Sequence, residues 1–156
     1  MKNRDHAGVF IPPPLLFVVP LAVAAMVHSR RPWPIADGTS LVLTLGSFII
    51  ATGIAIGLTS VYSFRKAKTT VLPAGRTTTA IVENGPYRFT RNPMYVAMSC
   101  AYVGLALLLN NVWALLLLPF VLVVVDVFVI RREERYLTAK FGEPYREYCA
   151  RVRRWF

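Results

Sequence analysis

The stretch Glu83 to Tyr95 reads ENGPYRFTRNPMY, and it gathers two arginines and two tyrosines where an apolar helix begins. Asn92 followed by Pro93 is a strong helix start. The Asn side chain can accept from exposed first-turn amides, and proline at the first helical position loses no hydrogen bond. Arg91 and Tyr95 are four residues apart, so they fall on one side of that start, beside the positive end of the helix dipole. An anionic group docked there would be stabilised by amides, dipole and guanidinium together. An interfacial anchor, with Arg and Tyr at the level of lipid headgroups, accounts for the same spacing equally well. Arg88 needs no more than a headgroup contact.

A second set of candidates is acidic. Asp126 lies in the apolar run LPFVLVVVDVFVI, five residues before Arg131 and so about 7.5 Å deeper along a helix axis. A carboxylate there is costly unless it is paired or faces a polar cavity. At 100° per residue, Glu133 falls within about 20° of the Asp126 direction, so the two acids mark one stripe, with Glu134 beside it. Salt bridging within RREER is the simpler account of Glu133 and Glu134 taken alone, and a hydrogen-bonded acid inside a bundle is the simpler account of Asp126. Two adjacent acids at a helix exit also suit recognition of a cation or an ammonium group.

The elements that must hold these residues are helices in a membrane. Of 156 residues, 55% are hydrophobic and 17% charged, which is not the balance of a soluble domain. Four segments reach or approach the length that crosses a hydrocarbon core of about 30 Å: Val9 to His28, Leu41 to Phe64, Met94 to Leu109 and Val112 to Ile130. The net charge of +10 could suggest nucleic acid, so the placement of the 18 Lys and Arg residues decides. Two precede the first span, six lie between the second and third, and eight follow the fourth, against Arg30 and Arg31 alone on the other side. That bias puts both termini and the central loop in the cytoplasm, and lipid headgroups account for the charge without nucleic acid. Cys100 and Cys149 form neither a disulfide framework nor a metal-ligand cluster. Lys2 and Arg4 before an apolar run imitate a cleavable signal, but the run is long and carries Pro12, Pro13, Pro14 and Pro20, so it is read as a first span with irregular helix geometry.

Gly46, Gly53 and Gly57 fall close to one face of the second span and predict close approach of another helix. Only Asn110 and Asn111 separate the third and fourth spans, which forces an antiparallel helical hairpin and gathers the polar groups at its cytoplasmic ends. The tail continues as helix through RREERYLTAKF, breaks at Gly142 and Pro144, and resumes as an amphipathic piece with Tyr145, Tyr148, Val152 and Trp155 recurring on one side. That piece is expected against the headgroups or folded over the site. The fold predicted is all-α: four transmembrane helices with a C-terminal amphipathic helical tail, in a single domain over 1–156, with a central loop at 65–93 and a cytoplasmic tail at 131–156.

GPYRFTRNPMY, followed about forty residues later by EERYLTAKFGEPYREYCARVRRW, resembles the integral-membrane methyltransferases of the isoprenylcysteine carboxyl methyltransferase and phosphatidylethanolamine N-methyltransferase superfamily. The residues that carry the resemblance are Gly85, Tyr87, Arg91, Pro93 and Tyr95 before the hairpin, and Glu133, Glu134, Leu137, Phe141, Gly142, Tyr145, Tyr148, Val152 and Arg154 after it. The resemblance covers roughly the C-terminal half. It implies S-adenosylmethionine bound in a cytoplasm-facing pocket, the central loop serving as the cofactor-binding loop. Cofactor contacts would come from Tyr87, Asn92, Pro93, Tyr95, Gly104, Glu133, Glu134, Tyr145 and Tyr148. Arg91, Glu133 and Arg154 would stand at the reacting groups, a role that depends mostly on positioning. Asn92 occupies a position where the family often has His, so no imidazole titrates there. Gly104 and Ala106 stand where phospholipid methyltransferases carry Gly-x-Gly, which favours the isoprenylcysteine-like branch.

The function expected is therefore a membrane methyltransferase that uses S-adenosylmethionine and takes a lipophilic or amphipathic acceptor from the bilayer, with a gap near Asp126 as its entrance. Two other readings stand beside it. Membrane sterol reductases resemble the same C-terminal pattern but bind a nicotinamide cofactor and are longer. A non-catalytic membrane scaffold would keep the fold and tolerate replacement of Glu133 or Arg91.

Overall fold

The computed structural model describes residues 11–37, 39–67 and 79–155. Lys2, Arg4, Lys68, Arg76 and Phe156 lie outside the described residues, as does most of the first half of the 65–93 loop. Everything regular among the described residues is helical. Helix α1 covers Pro13–Arg30, opens on prolines in its first turn and runs on through Pro20. Helix α2 covers Thr39–Lys66, a few residues longer than the apolar count suggests. A 3-10 turn at Gly85–Arg88 precedes α3, Pro93–Leu108. Helix α4, Val112–Val125, passes through a π-helical turn at Asp126–Ile130 into α5, Arg131–Phe141. Gly142, at φ 62°, breaks the chain as expected, and α6 follows over Glu143–Arg151.

Three of these helical stretches are long and apolar enough to cross a membrane: Pro13–Arg30, Ser40–Lys66 and the continuous Val112–Phe141. Helix α3, at 16 residues, is apolar but shorter. Large apolar side chains face outward on several helices, among them Leu41, Phe48 and Leu58 on α2 and Phe120 on α4. An outward apolar belt of this kind has a lipid environment as its physical reason.

The small residues expected to let helices approach do so. A Cβ on Gly46 would crowd the Gly104 carbonyl of α3, and one on Gly53 would collide with the Ala97 carbonyl, so α2 and α3 touch backbone to backbone along this line. Gly57 needs no such closeness, since a Cβ there would meet Ala97 at ordinary contact distance. Helix α1 lies on α4 and α3, where Phe17 meets Tyr102 edge to face at 6.4 Å within a core that includes Ala106, Ala114, Val121 and Val125.

The two-residue turn closes the α3–α4 hairpin with Asn110 at φ 47°, a left-handed conformation that Asn adopts more readily than most residues. Its side chain does more. Asn110 Oδ1 accepts from the amides of Ile35 (2.8 Å) and Ala36 (3.2 Å), and its Nδ2 donates to the Ala36 carbonyl at 3.0 Å. Asn111 Oδ1 accepts from Ala114 N and caps α4. Trp113 donates through Nε1 to the Arg31 carbonyl at 2.9 Å and stacks edge to face on Trp33 at 5.2 Å. This end of the bundle is stitched to the α1–α2 connection.

Candidate functional site

At the opposite end the hairpin brings the start of α3 beside α5. Pro93 opens α3 as expected, but Asn92 is not a side-chain cap. Its carbonyl accepts from Tyr95 N at 3.0 Å, while its side-chain amide donates to the carbonyl of Arg154 at 2.9 Å. Thr90 Oγ1 donates to that same carbonyl at 3.0 Å, and Arg91 N donates to the Arg153 carbonyl at 3.0 Å. The competing partner that takes the Asn92 side chain is thus the returning tail. Three hydrogen bonds pin residues 153–154 across the mouth of α3.

This docking delivers the Arg154 side chain to the acids. Its guanidinium binds Glu134 through Nη2 (2.6 Å) and Nε (3.1 Å), and reaches Asp126 through Nη1 at 3.3 Å. Arg91 Nη1 meets the other side of Glu134, at 3.2 Å to Oε1. Arg131 Nε holds Asp126 Oδ2 at 2.8 Å. Glu134 is therefore clamped by two arginines, and Arg91 and Glu134 keep only 14% and 15% of their side-chain exposure, so each depends on the other for compensation. Among the described residues Arg91 Nε is buried with no hydrogen-bond partner.

Glu133 goes elsewhere. Tyr95 donates its hydroxyl to Glu133 Oε1 at 2.9 Å, fixing the two together inside the cluster. Salt bridging within RREER is thus not needed to account for Glu133 and Glu134, whose contacts with Tyr95, Arg91 and Arg154 are long-range. The stripe expected to join Asp126 to Glu133 instead joins it to Glu134, which shares Arg154 with Asp126. The reason is the π turn at Asp126–Ile130, which holds one residue more than an α turn. The position that returns to the Asp126 direction moves from seven residues on to eight.

The tyrosines enclose the cluster. Tyr87 and Tyr148 are buried, and Tyr148 donates its hydroxyl to the Tyr87 carbonyl at 2.8 Å, tying α6 to the 3-10 turn. Tyr87 packs edge to face on Phe64 at 5.3 Å, so the turn also rests on the end of α2. Tyr145 is buried with its ring 6.0 Å from that of Tyr148. Gly104 is the one expected site residue placed apart: a Cβ on it would collide with Ile50 and the Gly46 carbonyl, so it belongs to the α2–α3 seam.

Electrostatics follow from burial. Glu133, in α5 beyond the apolar run that ends at Ile130, is pushed up to about 7 by desolvation and by neighbouring Glu134, against the lowering effect of the Tyr95 hydroxyl. Burial raises the phenols of Tyr87, Tyr145 and Tyr148 well above their ordinary value, although the Arg91 charge opposes the shift at Tyr148. These tyrosines remain hydrogen-bond donors throughout the physiological range. Arg154 is held firmly charged by its bonds to Glu134.

Several participants had no sequence signal. Thr90 and the Arg153 and Arg154 carbonyls matter only because the tail folds back over more than sixty residues of intervening chain. Asp126, conspicuous in its apolar run, finds its partners in Arg131 and Arg154.

The phospholipid methyltransferase family model matches residues 41–144. That range holds Arg91, Tyr95, Asp126, Glu133 and Glu134 and stops before Tyr145, Tyr148 and Arg154. An uncharacterized protein of Haemophilus influenzae is 40% identical over 62 residues, which is 40% of this chain and 98% of that one. The cobalt-zinc-cadmium resistance protein CzcN of Cupriavidus metallidurans is 28% identical over 142 residues, or 89% of this chain, and the chain spans 60% of that relative's length. No solved structure matches the chain.

Proposed function

This chain belongs to the phospholipid methyltransferase family, within the isoprenylcysteine carboxyl methyltransferase-like membrane superfamily, and on that premise we propose that it is an S-adenosylmethionine-dependent methyltransferase crossing the bilayer four times. In this reading α3 is the short fourth span, and both termini lie in the cytoplasm. One domain over 1–156 carries the activity. The acceptor, a lipophilic or amphipathic molecule, enters from the bilayer.

The observation that carries the reading is the convergence of Arg91 and Tyr95 with Glu133 and Glu134 at one helix mouth, under a lid made by α6 and the tail. The donor set fits the cofactor. S-adenosylmethionine has a carboxylate, which suits the positive end of the α3 dipole and the Arg91 Nε that has no partner among the described residues, and an ammonium and a sulfonium, which suit Glu133 and Glu134. Tyr87, Asn92, Pro93, Tyr145 and Tyr148 would form the walls around it. When bound, the cofactor supplies an electrophilic methyl group.

The chain's own residues then have three tasks. Arg91 and Arg154 orient charged groups for in-line attack, and Glu134 holds the two guanidiniums at a fixed spacing. Glu133, poised near neutrality and bonded to Tyr95, is placed to accept a proton from an acceptor that loses one. The tyrosine lid excludes water, which would otherwise compete as acceptor.

The test is a titration of purified protein in detergent with S-adenosylmethionine and its demethylated product. Saturable binding supports the reading, and its absence overturns it. Membranes incubated with labelled S-adenosylmethionine and then separated into lipid, protein and small-molecule fractions would show which class of acceptor takes up label.

A further inference from the structure

Two hollows on the outer side of the α4–α5 rod meet at shared residues. The first, of about 440 Å³, is a groove walled by Leu122, Val123, Val127 and Trp155, with Asp126 and Arg131 at its end. The second, of about 750 Å³, is a cleft lined by Arg131, Arg135, Arg146 and Arg154 from three different elements, together with Glu134 and Val127. Val127 and Arg131 line both. An apolar slot thus runs directly into an arginine-rich basin.

The charge of the basin is not balanced from within. Glu134 is already bound by Arg154 and by Arg91, and Asp126 by Arg131 and Arg154. Among the described residues the Arg146 guanidinium pairs with the exposed Glu143, at 3.1 Å, a surface pair of the kind that contributes little. Arg135 Nε donates to the neutral carbonyl of Arg131 at 3.2 Å. Among these described residues five arginines share three acids, and the excess falls on the cleft side, at Arg135 and Arg146.

We propose that this composite hollow is a docking site for a phospholipid of net negative charge, its headgroup phosphate among Arg131, Arg135 and Arg146 and one acyl chain in the groove between Leu122 and Trp155. The occupant is set by complementarity at both ends: guanidiniums suit phosphate oxygens in bidentate fashion, and the adjoining slot is apolar at the depth where α4 leaves the hydrocarbon. A zwitterionic lipid would bring its own cation into a basin already rich in cations. The proposal rests on the bilayer reading above but needs neither cofactor nor methyl transfer.

The experiment is native mass spectrometry of the full chain in detergent, with phosphatidylglycerol and phosphatidylcholine of matched chains offered in equal amounts. The site predicts several-fold preferential retention of phosphatidylglycerol. Replacing Arg135→Gln and Arg146→Gln together should reduce that retention at least about fivefold, the loss expected for a single interfacial arginine. S-adenosylmethionine binding, measured in parallel, should stay within error, because neither residue belongs to the cofactor site. Equal retention of the two lipids, or a double variant that retains phosphatidylglycerol as wild type does, would overturn the proposal. Asp126→Asn supplies a check of sign should the double variant fold poorly: by freeing Arg131 it should strengthen retention of the anionic lipid, and a weakening would count against the site. If lipid retention behaves as expected while the cofactor titration fails, the docking site survives and the enzyme reading does not.

Discussion

Glu134 is the residue on which the candidate site turns, since it keeps two like-charged guanidiniums side by side. Glu134→Gln should remove about 2 kcal/mol of stability, as lost charge-assisted hydrogen bonds of partly exposed groups do. It should also weaken S-adenosylhomocysteine binding at least about tenfold; thermal unfolding and a binding titration measure the two effects. Glu133 makes a different prediction, through pH. Its folded-state value of about 7 lies above its ordinary 4.5, so the folded protein keeps a proton that the unfolded chain releases. Stability from this group is full below about 4.5 and declines as pH rises towards 7. Binding of a cationic cofactor runs the opposite way, growing as Glu133 ionises through about 7, and Glu133→Gln should flatten that rise in a pH series of binding titrations. At this scale the types of the residues were legible in the sequence, their partners less so. Asn92 carries every mark of a cap, yet its amide is claimed by a carbonyl 62 positions away.

Among the elements, the π turn at Asp126–Ile130 sets the angle at which α5 presents its acids. Deleting the outward-facing Phe128 should relax the turn to regular α-helix while keeping Asp126 and Glu134 on one face, so cofactor binding should persist. Inserting one alanine after Phe128 should rotate α5 by about 100° and abolish binding while the protein still enters the membrane. Comparing the two variants in one binding assay tests whether the extra residue sets register. The run VVVDVFVI has no glycine, proline or polar pair to betray such a turn, which is why a uniform 100° step chose Glu133 over Glu134. By contrast, Gly46 and Gly53 announced the α2–α3 seam directly, because nothing larger fits there. Gly104 lies on the same seam, so Gly104→Val should lower the melting temperature in proportion to an overpacking cost of about 1–3 kcal/mol, and cofactor affinity should change only as far as the fold does.

At the scale of the molecule, the site is closed by the segment after α6, which lies across the start of α3. Ending the protein at Arg151 would remove the Arg153 and Arg154 carbonyls together with the Arg154 and Trp155 side chains. The truncated protein should insert normally but lose cofactor binding, with greater protease access to residues 79–92 as a second readout. The apolar runs, the hairpin and the break at Gly142 could be read from composition and spacing, since each follows from local chemistry. The return of the tail could not, because it depends on pairings between distant backbone groups. The stitched turn at Asn110 has a mechanical consequence of its own. With three bonds from Asn110 to the α1–α2 connection and the two tryptophans beside it, that end is the firmly held root from which the rod of α4 and α5 extends. A tilt of about 10° there would swing the backbone at Asp126, about 21 Å along the rod, by about 4 Å.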